Sequence, residues 1–81
     1  MKSFHATIAK VGETLFEGEV DSLTLPGVEG TFTVLAGHEA FVSPLKPGEV
    51  RVVEADGSHH EFFVLTGGVA EVSMNQATVL L

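Results

Sequence analysis

The run Leu25-Pro26-Gly27-Val28-Glu29-Gly30-Thr31-Phe32-Thr33-Val34-Leu35-Ala36-Gly37-His38-Glu39-Ala40-Phe41-Val42-Ser43-Pro44-Leu45-Lys46-Pro47-Gly48-Glu49-Val50-Arg51-Val52 decides the fold. It holds all three prolines of the chain and four of its nine glycines. Proline fixes φ and removes a backbone donor, whereas glycine tolerates positive φ. The run therefore reads as a short strand held between punctuated loops, with a second strand leaving at Glu49. Loops of such constrained geometry on a rigid scaffold are where function concentrates.

Outward from this run the pattern is period 2, the signature of half-buried strands. Phe4, Ala6 and Ile8 alternate with His5, Thr7 and Ala9. Gly12-Glu13 predicts a turn, Thr14-Leu15-Phe16 a short strand, and Gly18 a break before the alternation of Val20 to Leu25. Within the run, Phe32 and Val34 share one face. Ala40 to Leu45 is extended and closes on the Pro47-Gly48 turn. Beyond it, Val50 and Val52 oppose Arg51 and Val53. Asp56-Gly57 suits a two-residue type I′ hairpin turn. His60, Phe62 and Val64 alternate with Glu61, Phe63 and Leu65, so both faces end apolar and the strand is expected in the middle of a sheet. Gly67-Gly68 and Asn75-Gln76 are turns, and Ala77 to Leu81 is the last strand. No window carries a capped helical period. The reading is all-β: a flattened sandwich or barrel of about eight to ten short, mostly antiparallel strands. Residues 1–81 form one such domain.

Composition narrows the function. A chain of 81 residues buries only about 60–65% of its unfolded surface, yet 44% of its residues are hydrophobic. Apolar surface is left over, and on a subunit that surface is an interface. There are no cysteines, which excludes a disulfide scaffold and a thiolate metal site. The formal charge is −7 with four Lys and Arg, which argues against nucleic acid and anionic lipid as direct ligands. The N-terminal residues lack a signal-peptide core, and no run is long enough to span a membrane. A soluble, intracellular protein is expected.

Catalytic constellations are weak. His38-Glu39 follows a glycine on a loop, but a metal needs three or four convergent ligands, and His59 and His60 alternate across a strand. Glu13, Glu17, Glu19 and Asp21 read as a solvated acidic face rather than a carboxylate pair. Pro26 to Gly30 leads into a strand and not a helix N-terminus, so it is no phosphate cradle. No catalytic residue, metal or cofactor is expected, and partner binding is the better reading.

The order Pro26-Gly27-Val28-Glu29-Gly30, Gly37-His38, Leu45-Lys46-Pro47-Gly48 and Gly67-Gly68 resembles the N-terminal β-sandwich of the epsilon subunit of F-type ATP synthases, over essentially the whole chain. The resemblance implies a non-catalytic central-stalk subunit of a proton- or sodium-translocating synthase. Such a subunit couples rotation of the membrane c ring to the gamma subunit, and sits peripherally at the cytoplasmic face of the bacterial inner membrane with the rest of the complex. It further implies a c-ring-facing loop at Pro26, Gly27, Val28, Glu29, Gly30 and Thr31, and gamma or ring contacts at His38 and Ser43. Many relatives carry an acidic residue where this chain has Thr31, a departure that puts a charge pair to the ring at that position in doubt; Glu29 is a carboxylate that could stand in. Relatives continue into a C-terminal helical hairpin that inhibits ATP hydrolysis. This chain ends at Leu81, so coupling without hairpin-based inhibition is expected. The alternative is a stand-alone β-sandwich ligand-binding module or small enzyme that shares only the fold. A polar pocket around His38 would favour the alternative, and a flat apolar patch beside the Pro26–Gly30 loop would favour the rotor subunit.

Overall fold

The computed structural model describes residues 2–37 and 39–81. These residues form eight strands and no helix: β1 (Phe4–Lys10), β2 (Glu13–Gly27), β3 (Gly30–Leu35), β4 (Phe41–Leu45), β5 (Gly48–Glu54), β6 (His59–Val64), β7 (Gly68–Ser73) and β8 (Gln76–Leu80). One run of ladders joins β1, β8, β7 and β4. A second joins β3, β2, β5 and β6. All pairings are antiparallel except β1 with β8.

The long strand β2 ties the two runs together. Its first part pairs with β1, from Lys10–Glu13 to Phe4–Val20. Its second part pairs with β5 on one side and β3 on the other. Register shifts at Ile8/Ala9 and Val20/Ser22 let it bend from one layer into the other, as β-bulges do. The expected break at Gly18 is absent. Gly18 pairs with Ala6 inside the ladder, and the two short strands of the sequence reading are one continuous strand. A break residue in sequence is overridden here by the continuous ladder with β1.

The core follows the alternation. Phe4, Ala6 and Ile8 of β1, Leu23 and Leu25 of β2, Val50 and Val52 of β5, Ala70 and Val72 of β7, and Ala77 and Val79 of β8 are all buried in one cluster. Phe32 departs from this. It is half-buried against the cluster, while its neighbour on the same face, Val34, is fully inside. The expectation for β6 also fails. Among the described residues it pairs with β5 alone, so it is an edge strand, and Phe63 is 62% exposed. Apolar residues on alternating faces therefore do not mark a central strand here. The most exposed of the large apolar side chains, Val11, Leu65 and Met74, sit in the connections between strands, where no partner strand covers them.

The β5–β6 connection is not a type I′ turn. Asp56 has no positive φ, and only Gly57 adopts one (+92°). Four residues, 55–58, connect the strands. The Gly57 N–H donates to the Glu54 carbonyl (2.9 Å) and the Glu54 N–H to the Ser58 carbonyl (2.8 Å). Such loops combine an ordinary turn with a left-handed glycine. The Ser58 N–H donates to Asp56 Oδ1 (2.8 Å). That backbone bond, with the Ser58 hydroxyl, holds the Asp56 carboxyl below the usual carboxylate range. A depressed folded-state pKa stabilises above the unfolded value, about 4, and the benefit is lost as pH falls through the folded value. Thermal melts of Asp56→Ala and the parent chain therefore differ at neutral pH and converge as the pH falls toward about 2. A constant offset would show that the carboxylate charge is not the cause.

Candidate functional site

The expected loop is a tight hairpin. Gly27 pairs with Gly30, so Val28 and Glu29 alone form the tip between β2 and β3. Two glycines make this possible. A Cβ on Gly27 would stand 2.8 Å from the Gly30 carbonyl oxygen and 2.9 Å from the Phe32 ring, and Gly30 has φ +140°. Pro26 and Gly27 are buried, whereas Val28, Glu29, Gly30 and Thr31 are exposed. The tip is fastened to the neighbouring layer. The Lys46 N–H donates to the Pro26 carbonyl (2.9 Å) and the Val28 N–H to the Pro44 carbonyl (3.2 Å).

This docking brings the loop against β4 and opens a groove of about 560 Å³ between them. One wall is Gly27 to Phe32 and the other is Phe41 to Pro44. Its aromatic part is the Phe32–Phe41 pair, edge-on with centroids 5.4 Å apart. Aromatic pairs prefer this geometry because the positive ring edge meets the negative face. Ser43 lies in the same groove, and its hydroxyl donates to the Pro44 carbonyl (3.1 Å). The structure thus unites five of the six loop residues with Ser43. Pro26 supports the loop from beneath. His38 lies outside the described residues. Phe32, Phe41 and Val42 escaped the sequence reading as site residues, because apolar side chains on an alternating strand look like core. The surface beside the loop is a groove and not a flat apolar patch.

The chemistry available is that of binding. Among the described residues no three His, Asp or Glu side chains gather as a metal site. The acidic residues of the β1–β2 ladder are engaged with neighbours. His5 Nε2 lies 3.1 Å from Glu17 and Nδ1 3.4 Å from Glu19, while Glu13 lies 3.5 Å from Lys10. His60 meets Glu54 and packs near the Phe16 ring, while His59 is exposed. A second hollow of about 350 Å³ includes Thr24, Arg51, His59 and Glu61. Arg51 is its only Lys or Arg and lies 2.6 Å from Glu49, whose hydrogen bond raises the guanidinium pKa further. A paired cation at an open surface is a weak anion site.

The family profile described as "ATP synthase, Delta/Epsilon chain, beta-sandwich domain" matches residues 3–81. The chain belongs to that family. It is similar to the ATP synthase epsilon chain of Bradyrhizobium sp. strain BTAi1, with 44% identity over 99% of this chain and 58% of the relative. The epsilon chain of Nitrobacter winogradskyi is 45% identical over the same shares. This chain therefore spans less than two thirds of the length of these epsilon relatives. Among solved structures, it resembles a chain of the Euglena gracilis mitochondrial ATP synthase, in a structure containing OSCP, F1 and c-ring. The TM-score is 0.88 and the identity 28%, over 96% of this chain and 49% of that one. A chain of the Tetrahymena thermophila mitochondrial synthase, from its central stalk and c-ring, has a TM-score of 0.76 at 16% identity over 94% of this chain and 60% of that one. At that identity the likeness concerns the fold. The delta/epsilon family fold and the eight-strand architecture agree with the all-β reading of the sequence.

Proposed function

We propose that this chain acts as the epsilon-type β-sandwich of an F-type ATP synthase rotor. In this reading it is a non-catalytic clutch between the membrane c ring and the gamma subunit, held peripherally at the cytoplasmic face of the bacterial inner membrane. The observation that carries this is the 44% identity to an epsilon chain across 99% of the sequence. The physical design suits the role. A close-packed core cross-tied by ladders transmits torque with little deformation, and no buried polar or charged side chain interrupts it among the described residues. The groove beside the hairpin tip supports a ring-facing role for Gly27 to Thr31, with Ser43 as part of the same contact. Pro26 positions that surface without belonging to it, and His38 remains a candidate for the gamma or ring contact.

The test is assembly. The chain should be retained by a detergent-solubilised complex of gamma and c ring from the same organism. Glu29→Lys reverses the one charge on the groove rim among the described residues and should weaken that retention by about tenfold, with the fold unchanged in thermal melts. Undiminished retention of the variant would remove the hairpin tip from the ring contact. Failure of the parent chain to bind would sink the rotor reading.

A further inference from the structure

We propose that the outer edge of β3 pairs with the β3 edge of a second copy of this chain, joining two molecules across an antiparallel two-fold seam centred on Thr33. This goes beyond the rotor reading and does not depend on it.

The ladder between β2 and β3 carries the argument. In an antiparallel pair, opposed residues alternate between exchanging both backbone hydrogen bonds and exchanging none. Pro26 stands opposite Thr31, has no N–H, and gives its carbonyl to the Lys46 N–H on the far side of β2. Pro26–Thr31 is therefore a non-bonded pair. By the alternation, Thr24–Thr33 and Ser22–Leu35 are non-bonded as well. The Thr24 and Thr33 hydroxyls lie 3.0 Å apart, in keeping with the closer side-chain approach across non-bonded pairs. The N–H and carbonyl groups of Thr31, Thr33 and Leu35 thus point away from β2. β4 and β5 lie on the opposite side of β2, and β3 has no second strand neighbour among the described residues. Thr31, Thr33 and Leu35 are all exposed.

Outward positions spaced two residues apart are self-complementary. When two such edges run antiparallel with Thr33 opposite Thr33, Thr31 falls opposite Leu35 of the second copy and Leu35 opposite its Thr31. Every outward donor then meets an outward acceptor, and all of these pairs are of the bonded kind. The contact is isologous, so it closes at two copies.

The edge also lacks the devices by which sheet edges refuse partners. β3 reads Gly30-Thr31-Phe32-Thr33-Val34-Leu35, with no charge and no proline, and threonine, phenylalanine and valine suit extended chain. Leu35 is 56% exposed and gains cover in the seam. The edge of β6 is unlike this. It has Glu61 near its centre, and the same pairing there would set two like charges face to face. A net charge of −7 on each copy opposes association, but the seam holds the nearby carboxylates apart. At the hairpin tip, Glu29 falls opposite Gly37 of the second copy. The two Glu29 carboxylates are then on the order of 25 Å apart, beyond the Debye length of about 8 Å at physiological salt. Association of this kind strengthens as salt rises, whereas a contact made by ion pairs weakens.

The experiment is sedimentation equilibrium of the full chain. The parent should form a reversible dimer at concentrations up to about 1 mM, tighter at about 500 mM salt than at about 50 mM. Thr33→Pro removes the N–H at the two-fold axis from both copies but no bond to β2, and edge strands tolerate proline. Thr33→Val keeps that N–H, loses the hydroxyl contact with Thr24 in the same way, and serves as control. Self-association of Thr33→Pro should be at least about tenfold weaker than that of Thr33→Val. Equal association of the two variants overturns the seam, and so does a parent chain that stays monomeric. Should Thr33→Pro not fold, amide exchange in the parent decides. Slowing of the Thr31, Thr33 and Leu35 amides by about threefold or more as chain concentration rises supports the seam, and unchanged exchange overturns it. If those amides slow only on adding the gamma and c-ring complex, the edge takes a partner's strand and the second-copy proposal fails.

Discussion

Leu23→Ala should destabilise the fold by about 3–4 kcal/mol, the middle of the range for a buried leucine. Leu23 is 0% exposed and occupies the middle of a three-strand row, facing Val34 on β3 and Val52 on β5. Those two neighbours are themselves buried, so neither has free space from which to relax into the hole. Fixed ladders on both sides of β2 hold the backbone in place. The loss therefore combines the transfer term with a persistent cavity. A chain of this length has roughly 4–12 kcal/mol of stability in all, so the variant sits near the edge of folding. Urea melts of the two chains measure the difference. A change below about 1 kcal/mol would mean that this row is not the heart of the core.

The second large effect is expected at Gly68, where β7 begins. A Cβ added there would lie 2.4 Å from the Leu80 carbonyl oxygen and 3.3 Å from the Leu81 Cα. Both contacts are backbone, so no side chain can swing aside. Relief requires parting β7 from β8, and β8 is also the parallel partner of β1. Overpacking of this kind costs about 2–3 kcal/mol, which for a chain this small lowers Tm by on the order of 10–20 °C. Gly18 is the control. Its added Cβ would meet only the end of the Phe16 ring at 3.5 Å, an ordinary contact. Gly18→Ala should therefore melt close to the parent. Equal losses at the two positions would show that strand glycines matter here through chain entropy, not through contact.

Much of the core was readable without coordinates. The alternations at Phe4 to Ile8, Leu23 to Leu25 and Val50 to Val52 all proved to be inward-facing residues. The candidate loop was also legible, because Pro26, Gly27 and Gly30 punctuate one short segment, and the steric demand on Gly27 is what that spelling records. The shared face of Phe32 and Val34 was legible, but not that Phe32 is half-buried at a groove while Val34 is fully inside, because a groove wall has the same alternation as a core strand. The β5–β6 turn was misread because Asp-Gly permits a type I′ turn without requiring it, and the loop instead closes through Gly57 and Ser58.

What the sequence determined by itself was local: which residues extend, which face is apolar, where the chain turns, and that the charge balance leaves little room for phosphate ligands. These follow from backbone sterics and the two-residue strand period, which act between near neighbours. Only the tertiary structure decided that β2 runs unbroken through Gly18, that β6 lies at an edge, and that β1 and β8 pair in parallel from opposite ends of the chain. The groove belongs to the same class, because its two walls, Gly27 to Phe32 and Phe41 to Pro44, come together only after Val28 bonds to Pro44 and Lys46 to Pro26. Strand partners are chosen by long-range packing and by ladders between distant segments, and a period of two residues carries no record of which distant segment that will be.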